Sequence, residues 1–135
     1  MTIRDMLAAL GLLLLRLTAG LPLILLHGWA KVKNYSAMTE SFPDPLGLGK
    51  DVSLGLAAFA EVFCAGAVVL GLFTRLAAIP PLIAMCVAVL FVHAKDTWAT
   101  KEMALLYLGM YFALVWLGGG GLSLDSLLFK KKTPQ

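Results

Sequence analysis

The sequence predicts an all-α protein, an integral membrane bundle of four antiparallel helices. Apolar residues make up 60% of its 135 residues, whereas soluble domains usually contain roughly 45–50%. Charged residues make up only 14% of the chain, and its mean hydropathy is +0.87. The apolar residues fall into four long stretches that few charges interrupt. This composition argues against a disordered chain and against an ordinary soluble enzyme.

The four stretches each approach the roughly 20 apolar residues that a helix needs to cross a bilayer core of about 30 Å. Within a single membrane domain they predict helices at about 6–30, 52–73, 76–94 and 101–117. Arg16 and His27 interrupt the first stretch, and Glu61 interrupts the second. Because the first stretch is longer than the apolar core of a signal peptide, about 7–15 residues, we expect it to remain as a helix.

The third stretch carries no charge and follows Thr74-Arg75 so closely that only an antiparallel return fits. The fourth is the shortest and is expected to begin within the polar residues 95–102. With both termini in the cytoplasm, five lysines and arginines would lie on each side, so their number does not decide the orientation. Acidic residues balance the outer lysines, and we therefore expect cytoplasmic termini in a multi-pass protein of the cell (inner) membrane.

Two connecting segments differ in character from the helices. Residues 31–51 contain Pro43-Asp44-Pro45 followed by Gly47 and Gly49, which predicts an ordered external loop. After the fourth helix, the four glycines from Gly118 to Gly121 predict a flexible exit. The tail 122–135 contains three consecutive lysines, Lys130 to Lys132, and is expected to be a basic anchor.

Arg16 and Glu61 are the two charges that the sequence places at membrane depth. Arg16 lies roughly 13 Å along its helix from the membrane face near Leu7, and Glu61 lies roughly 17 Å from Leu72 at the same face. A lone charge at the centre of a membrane helix costs at least about 2.5–3.5 kcal/mol, so such residues normally find a partner. We therefore expect an Arg16–Glu61 pair, which either fixes the helix register or lines a polar pocket.

Further polar residues are candidates for the same pocket. Arg16 and His27 are eleven residues apart and about 20° out of phase, and Lys31 follows one turn later, so one helix face carries three basic groups. His93 is expected at the same membrane face as His27. There the two histidines would form a polar vestibule or would make hydrogen bonds to the loop backbone. The candidate ligand-binding residues are His27, Lys31, His93, Tyr107, Tyr111 and Cys64.

The sequence contains no recognisable motif for a resident cofactor. Cys64 and Cys86 do not form a Cys-x-x-Cys pair, so neither a disulfide framework nor a zinc site is encoded, and no metal site is expected. The net charge of +3 includes no basic stripe, which argues against nucleic acid as a partner. Flavin and haem motifs are also missing, so any electrons would come from another protein.

The order and spacing of several segments resemble the DoxX family of small prokaryotic membrane proteins. The resemblance covers about residues 16–117 and rests on Arg16-Leu-Thr-Ala-Gly20, His27-Gly28-Trp-Ala-Lys31, the Phe42-Pro43 to Leu46-Gly47 loop, Glu61, and Leu70-Gly71-Leu72-Phe73-Thr74-Arg75-Leu76-Ala77-Ala78. It implies a four-helix membrane bundle and an association with membrane oxidoreductase assemblies, some of them quinone-linked. The matching polar positions are Arg16, His27, Lys31, Glu61 and Arg75.

These observations favour a membrane component of a redox system whose pocket receives a quinone or a similar carrier. In this hypothesis Arg16 polarises a carbonyl, Glu61 relays a proton, and His27 or His93 carries the proton to the surface. Its partners would be the lipid bilayer and a soluble or membrane redox protein, with a homo-oligomer as a further option. The alternatives are a non-catalytic membrane anchor or assembly subunit, and a transporter of small solutes or metals.

Overall fold

The computed structural model describes residues 1–130, and within that range the chain forms helices and connecting turns without any strand. The four long helices are α1 (Ile3–Lys33), α3 (Lys50–Leu70), α4 (Thr74–Val92) and α5 (Trp98–Leu117). The short helices α2 (Tyr35–Thr39) and α6 (Leu124–Leu128) lie in the loop after α1 and in the C-terminal part. The prediction of an all-α membrane bundle is confirmed.

The long helices alternate in direction, so the start of α1 and the end of α5 lie at one end of the bundle. We call this the terminal end, and we call the opposite end, with the loop between α1 and α3, the loop end. Helices α1, α3 and α4 are long and apolar enough to cross a membrane. Helix α5 has 20 residues but carries Lys101 and Glu102 near its start, and it packs against α1 and α4 as the fourth member of the bundle.

Helix α1 is much longer than its neighbours. Its start is fixed by a capping box, in which Thr2 Oγ1 accepts from the Asp5 amide at 3.1 Å and the Asp5 carboxylate accepts from the Thr2 amide at 2.9 Å. Its 31 residues extend over about 46 Å, well beyond a bilayer core. The first dozen residues project past the turn between α3 and α4, where Gly120 and Gly121 of the C-terminal part contact Leu12 and Ala9.

Each of the three spanning helices contains a π-helical segment. These segments are Leu23–Gly28 in α1, Phe59–Cys64 in α3 and Ala88–Val92 in α4. The first directly follows Pro22, which has no amide hydrogen to continue the α-helical pattern. Such wide turns change the direction in which the side chains point, and they frequently occur at functional sites. The segments of α1 and α3 pack against each other in the interior of the bundle.

Small residues allow α1 and α3 to approach closely, as expected for helices that associate in lipid. A Cβ atom on Gly20 would lie 2.3 Å from Val69 Cγ2, and one on Gly28 would lie 2.9 Å from the Glu61 Cβ and carbonyl carbon. Pairing Gly20 with Val69 and Gly28 with Glu61 sets the register of the two helices. This register decides which polar residues meet.

Gly28→Ala should destabilise the protein although alanine is the better helix former. The added methyl group would meet Val62 Cγ2 at 2.7 Å and the backbone of Glu61, so the helices must separate. Such overpacking typically costs about 1–3 kcal/mol, which thermal unfolding in detergent would detect as a lower midpoint. Gly66→Ala is the matched control, because nothing lies within 4 Å of its Cβ position. An equal midpoint for both variants would contradict the close-contact role of Gly28.

Candidate intramembrane binding site

A cavity of about 710 Å³ lies between the four long helices and the loop at the loop end. Its walls are mainly apolar and include Met85 and Ala104 from the core, together with loop residues between Phe42 and Leu48. The polar side chains on its wall are His27, Lys31, Ser53, Glu61, His93, Thr100 and Tyr107. Apolar walls with a few convergent polar groups are typical of small-molecule sites.

Lys31 and Glu61 form an ion pair on the cavity wall. Lys31 Nζ donates to Glu61 Oε2 at 2.7 Å, and the two side chains are 15% and 8% exposed. The close contact at Gly28 brings α1 against the π-helical segment of α3, so the lysine one turn after His27 reaches the carboxylate. The pair is neutral overall, and it places a hydrogen-bond donor and an acceptor side by side in an apolar cavity.

Two aromatic rings contact each other beside this pair. The His27 and Tyr107 rings meet edge to face, with centroids 5.9 Å apart and an angle of 84° between the planes. Tyr107 is buried, and both residues line the cavity. Because an imidazole and a phenol both donate and accept hydrogen bonds, they add two adaptable groups to the site.

A second titratable pair lies at the loop end of the cavity. His93 Nδ1 and Asp96 Oδ2 are 2.7 Å apart, and both side chains are partly exposed. A carboxylate on Nδ1 fixes the orientation of the ring and leaves Nε2 as the second proton-exchanging atom. This pair therefore connects the cavity wall with the surface.

The predicted pair of Arg16 and Glu61 is wrong. Arg16 Nη1 donates to the carbonyl of Val69 at 2.8 Å and Nη2 donates to the carbonyl of Leu122, whereas Glu61 binds Lys31. Val69 lies eight residues beyond Glu61 on α3, a distance of about 12 Å along the helix. The prediction failed because it placed the start of α1 and the end of α3 at the same membrane face, while α1 projects beyond α3.

The other predicted ligand-binding residues divide between cavity and core. His27, Lys31, His93 and Tyr107 line the cavity together with Glu61. Tyr111 is fully buried elsewhere, where its hydroxyl donates to the Ala19 carbonyl at 2.9 Å. Cys64 is buried and lies outside the cavity wall. Within residues 1–130, no cluster of three His, Cys, Asp or Glu side chains is arranged to hold a metal ion.

Arg16 belongs instead to a polar cluster at the terminal end. Its side chain is 1% exposed, and its Nε has no hydrogen-bond partner in the part of the chain that the structure describes. The Asp125 carboxylate caps the start of α4, where it accepts from the amides of Phe73 at 2.6 Å and Thr74 at 2.9 Å. The Asp125 amide in turn donates to the Gly71 carbonyl at 2.8 Å. Residues 118–129, the C-terminal segment, are thereby fixed across the end of the bundle.

The glycines of the predicted flexible exit are packed in this cluster. Gly118 and Gly119 are buried, and a Cβ on Gly119 would lie 2.6 Å from Thr74 Oγ1. The prediction was wrong because glycine here provides close approach and positive φ, as at Gly118 (φ +76°) and Gly120 (φ +77°), rather than freedom of movement. Lys131 and Lys132 of the predicted anchor lie outside the described residues.

The contact of Asp125 with α4 should weaken only in strong acid. Burial acts to raise the pKa of Asp125, but hydrogen bonds from Thr74 and Phe73 and the charge of Arg16 outweigh it, so the pKa lies below its ordinary value. A lowered pKa in the folded state means that the stabilisation is complete above the ordinary value of about 3.9 and fades as the pH falls through the lowered one.

Hydrogen-exchange protection factors of the C-terminal segment should therefore stay constant from about pH 7 to pH 5 and fall below about pH 4. The Asp125→Asn variant should show low protection at every pH, because an amide side chain cannot supply two charged acceptor oxygens. Loss of protection between pH 7 and pH 5 in the unaltered chain would contradict the assigned role of the carboxylate.

Apart from Ser53 and Thr100, the residues of the cavity that were not predicted as site residues are apolar. Pro80, Ile83 and Ala84 of α4 form one wall, and loop residues from Phe42 to Leu48 cover the loop end. The loop is ordered by Asp44, whose carboxylate accepts from the amides of Leu48 and Gly49. Of these apolar residues, the sequence indicated only those of the loop, because the loop is one of the segments that resemble the DoxX family.

Comparison with known proteins agrees with that resemblance. The DoxX family model matches residues 11–94. A relative, the uncharacterized membrane protein Rv3486 of Mycobacterium tuberculosis, is 34% identical in sequence, with an alignment that covers 68% of this chain and 71% of the relative. No solved structure matches the chain.

Proposed function

Since the chain belongs to the DoxX family of membrane proteins, we propose that it is an inner-membrane component of a redox system and receives a quinone or a similar lipid-soluble carrier in its cavity. The observation that supports this most strongly is the Lys31–Glu61 pair within an apolar cavity of about 710 Å³. A quinone requires apolar space for its ring and a few hydrogen-bonding groups for its oxygens.

Our proposal gives the polar residues different roles from those in the sequence hypothesis. Lys31 replaces Arg16 as the group that donates to a quinone carbonyl, because Arg16 lies at the terminal end and is bound to backbone carbonyls. Glu61 accepts and releases the proton next to it. Tyr107 and His27 hold the second oxygen or position the ring. The reduction of a quinone to a quinol consumes two electrons and two protons, and the electrons come from a soluble or membrane-bound donor protein.

In our proposal the proton reaches the aqueous phase at the loop end. His93 lines the same cavity as Glu61, and its partner Asp96 is 45% exposed at the side chain. A carboxylate-oriented imidazole suits this exchange because it can take up a proton at one ring nitrogen and release one at the other. Glu61, the carrier and His93 thus form a path from the membrane interior to the aqueous phase.

The proposal can be tested with the full chain in phospholipid nanodiscs. Binding of an isoprenoid quinone should be measurable by mass spectrometry of the intact particle or by quenching of tryptophan fluorescence. Glu61→Gln keeps the size of the side chain and an oxygen that can accept from Lys31, and it should lower binding or quinone-dependent electron transfer in membranes per molecule of folded protein, with the folded fraction checked by thermal unfolding. Glu102→Gln is the control, because Glu102 is exposed on α5 and does not line the cavity.

The outcomes separate the three candidate functions. Full binding and transfer in Glu61→Gln would contradict the proposed role of the carboxylate. If the unaltered protein binds no quinone but the amount of a co-purifying oxidoreductase falls when the chain is deleted, the chain is an assembly subunit. Uptake of a small solute or metal ion into vesicles without any redox effect would favour a transporter.

A further inference from the structure

We infer that the carrier enters the cavity sideways from the bilayer, between α3 and α4, and leaves its apolar tail in that opening. The inference rests on the proposed function and names the class of ligand more closely, a ring with polar oxygens and a long hydrocarbon tail. It depends on the shape of the cavity wall rather than on its polar groups.

The wall opens between two helices at mid-membrane depth. Phe59 on α3 and Ile83 on α4 both line the cavity, yet they are 52% and 57% exposed. Each lies nine residues from the start of its helix, about 14 Å from that end and therefore near the middle of the span. A side chain that lines a cavity and is also half exposed marks its rim, and Leu56 of α3, Met103 of α5 and Leu46 and Leu48 of the loop meet the same description. We call the part of the rim between α3 and α4, formed by Phe59 and Ile83, the lateral opening.

Phe59–Cys64 of α3 packs against Ile79–Val87 of α4, and the sequence of α4 accounts for a divergence of the two helices towards the loop end. The helix is interrupted at Ala78, and Pro80 and Pro81 follow without amide hydrogens, so two helical hydrogen bonds are missing. Pro80 itself lies on the cavity wall. A break at the start of α4 allows the rest of the helix to diverge from α3.

The other route, at the loop end, is partly covered by an ordered loop, whose Leu46 and Leu48 line the cavity and are about half exposed. Phe42, Pro45 and Leu46 lie over the cavity. Asp44 holds this loop through the amides of Leu48 and Gly49 and through the Ser53 hydroxyl, which donates to Asp44 Oδ1 at 2.8 Å. A lipid-soluble molecule already resides in the bilayer, where the lateral opening faces acyl chains. Its polar ring would then meet Lys31 and Glu61 directly behind the rim.

Contacts with the tail should contribute little affinity, because the tail exchanges one apolar environment for another. The test therefore fills the space in which the tail would lie, which lowers the occupancy of a tailed quinone and leaves that of a tailless one nearly unchanged. The double variant Phe59→Trp with Ile83→Trp narrows the lateral opening with lipid-facing side chains. Phe63→Trp is the matched control, since Phe63 stacks on Phe59 with centroids 6.1 Å apart but is absent from the cavity wall.

The experiment measures binding of two quinones with the same ring, one with a ten-isoprenoid tail and one without a tail, to the full chain in nanodiscs. The double variant should lower occupancy by the tailed quinone at least about tenfold and leave that of the tailless one within about twofold. Phe63→Trp should change neither. Thermal unfolding of all variants reports whether the bundle is intact.

Three results would overturn the inference. Unchanged binding of the tailed quinone shows that it enters elsewhere, and an equal loss of both quinones shows that the substitutions act on the cavity itself. In both cases the proposed function stands, because the unaltered protein still binds a quinone. If the unaltered protein binds neither quinone, the proposed function fails and the lateral opening loses its ligand.

Discussion

Lys31→Met should destabilise the protein more than any other single change on the cavity wall. The substitution leaves the Glu61 carboxylate, 8% exposed, without the ammonium group that now lies 2.7 Å away. Removing one member of a buried pair typically costs about 3–5 kcal/mol, because the remaining charge is neither solvated nor paired. Thermal unfolding in one detergent, followed by tryptophan fluorescence, would record the loss as a lower midpoint.

The double variant Lys31→Met with Glu61→Gln should recover most of this stability. When both charges are removed, no buried charge remains whose loss of hydration must be offset. Replacing a buried ion pair by uncharged side chains often leaves the stability nearly unchanged. Lys33→Met is the control, since Lys33 is exposed two residues further along the same helix. If the double variant is as unstable as Lys31→Met, the loss comes from packing of the lysine stem and the ion pair is not its cause.

The fold class could be predicted from the sequence because it depends on composition and on the length of apolar stretches. Both are properties that lipid imposes on each helix separately. The residues of the cavity were partly predictable for the same reason. His27 and Lys31 are one turn apart on one helix, and a local spacing is sufficient to place them on a common face.

The partner of Glu61 could not be predicted because it depends on the register between two helices. That register is set by the contact of Gly28 with Glu61 and by the projection of α1 beyond α3. Neither feature is visible in the hydropathy of the chain. Hydropathy shows where a helix is apolar but not how far the helix is displaced along its neighbour. The observed register places Lys31 rather than Arg16 beside Glu61, and these two basic residues are about 22 Å apart along α1.

The C-terminal segment was missed for a related reason. Asp125 caps a helix that begins about fifty residues earlier in the chain, through hydrogen bonds to Phe73 and Thr74. Sequence rules for helix caps consider only neighbouring residues. A distant cap therefore leaves no local signal, and the adjacent glycines are easily taken for a flexible linker.

Arg16→Met should release the C-terminal segment while leaving the cavity in place. The guanidinium joins α3 to this segment by donating to the carbonyls of Val69 and Leu122, and Asp125 adds a favourable charge interaction. Methionine fills similar space but donates no hydrogen bond, so two carbonyls lose a charged donor, each worth about 1.5–3 kcal/mol. Removing the desolvated arginine offsets part of this loss.

Hydrogen exchange would separate a local release from general unfolding. Amides of residues 118–129, above all the Asp125 amide bonded to Gly71, should exchange at least about tenfold faster, corresponding to about 1.4 kcal/mol. Amides of α3 and α4 around the cavity should keep their protection. Arg16→Lys should lie in between, because one ammonium cannot reproduce the fixed geometry of a guanidinium that bridges two carbonyls.

Arg4→Met serves as the control, because Arg4 is exposed near the start of the same helix. Unchanged exchange in the C-terminal segment of Arg16→Met would show that Asp125 and the packed glycines hold it without the arginine. Faster exchange in every helix would show that Arg16 stabilises the whole bundle, which its contacts at the level of Val69 and Leu122 do not predict. An effect confined to the C-terminal segment would mean that the two buried charged residues within residues 1–130 have separate roles. Arg16 would hold the C-terminal segment at the terminal end, and Glu61 would act in the cavity.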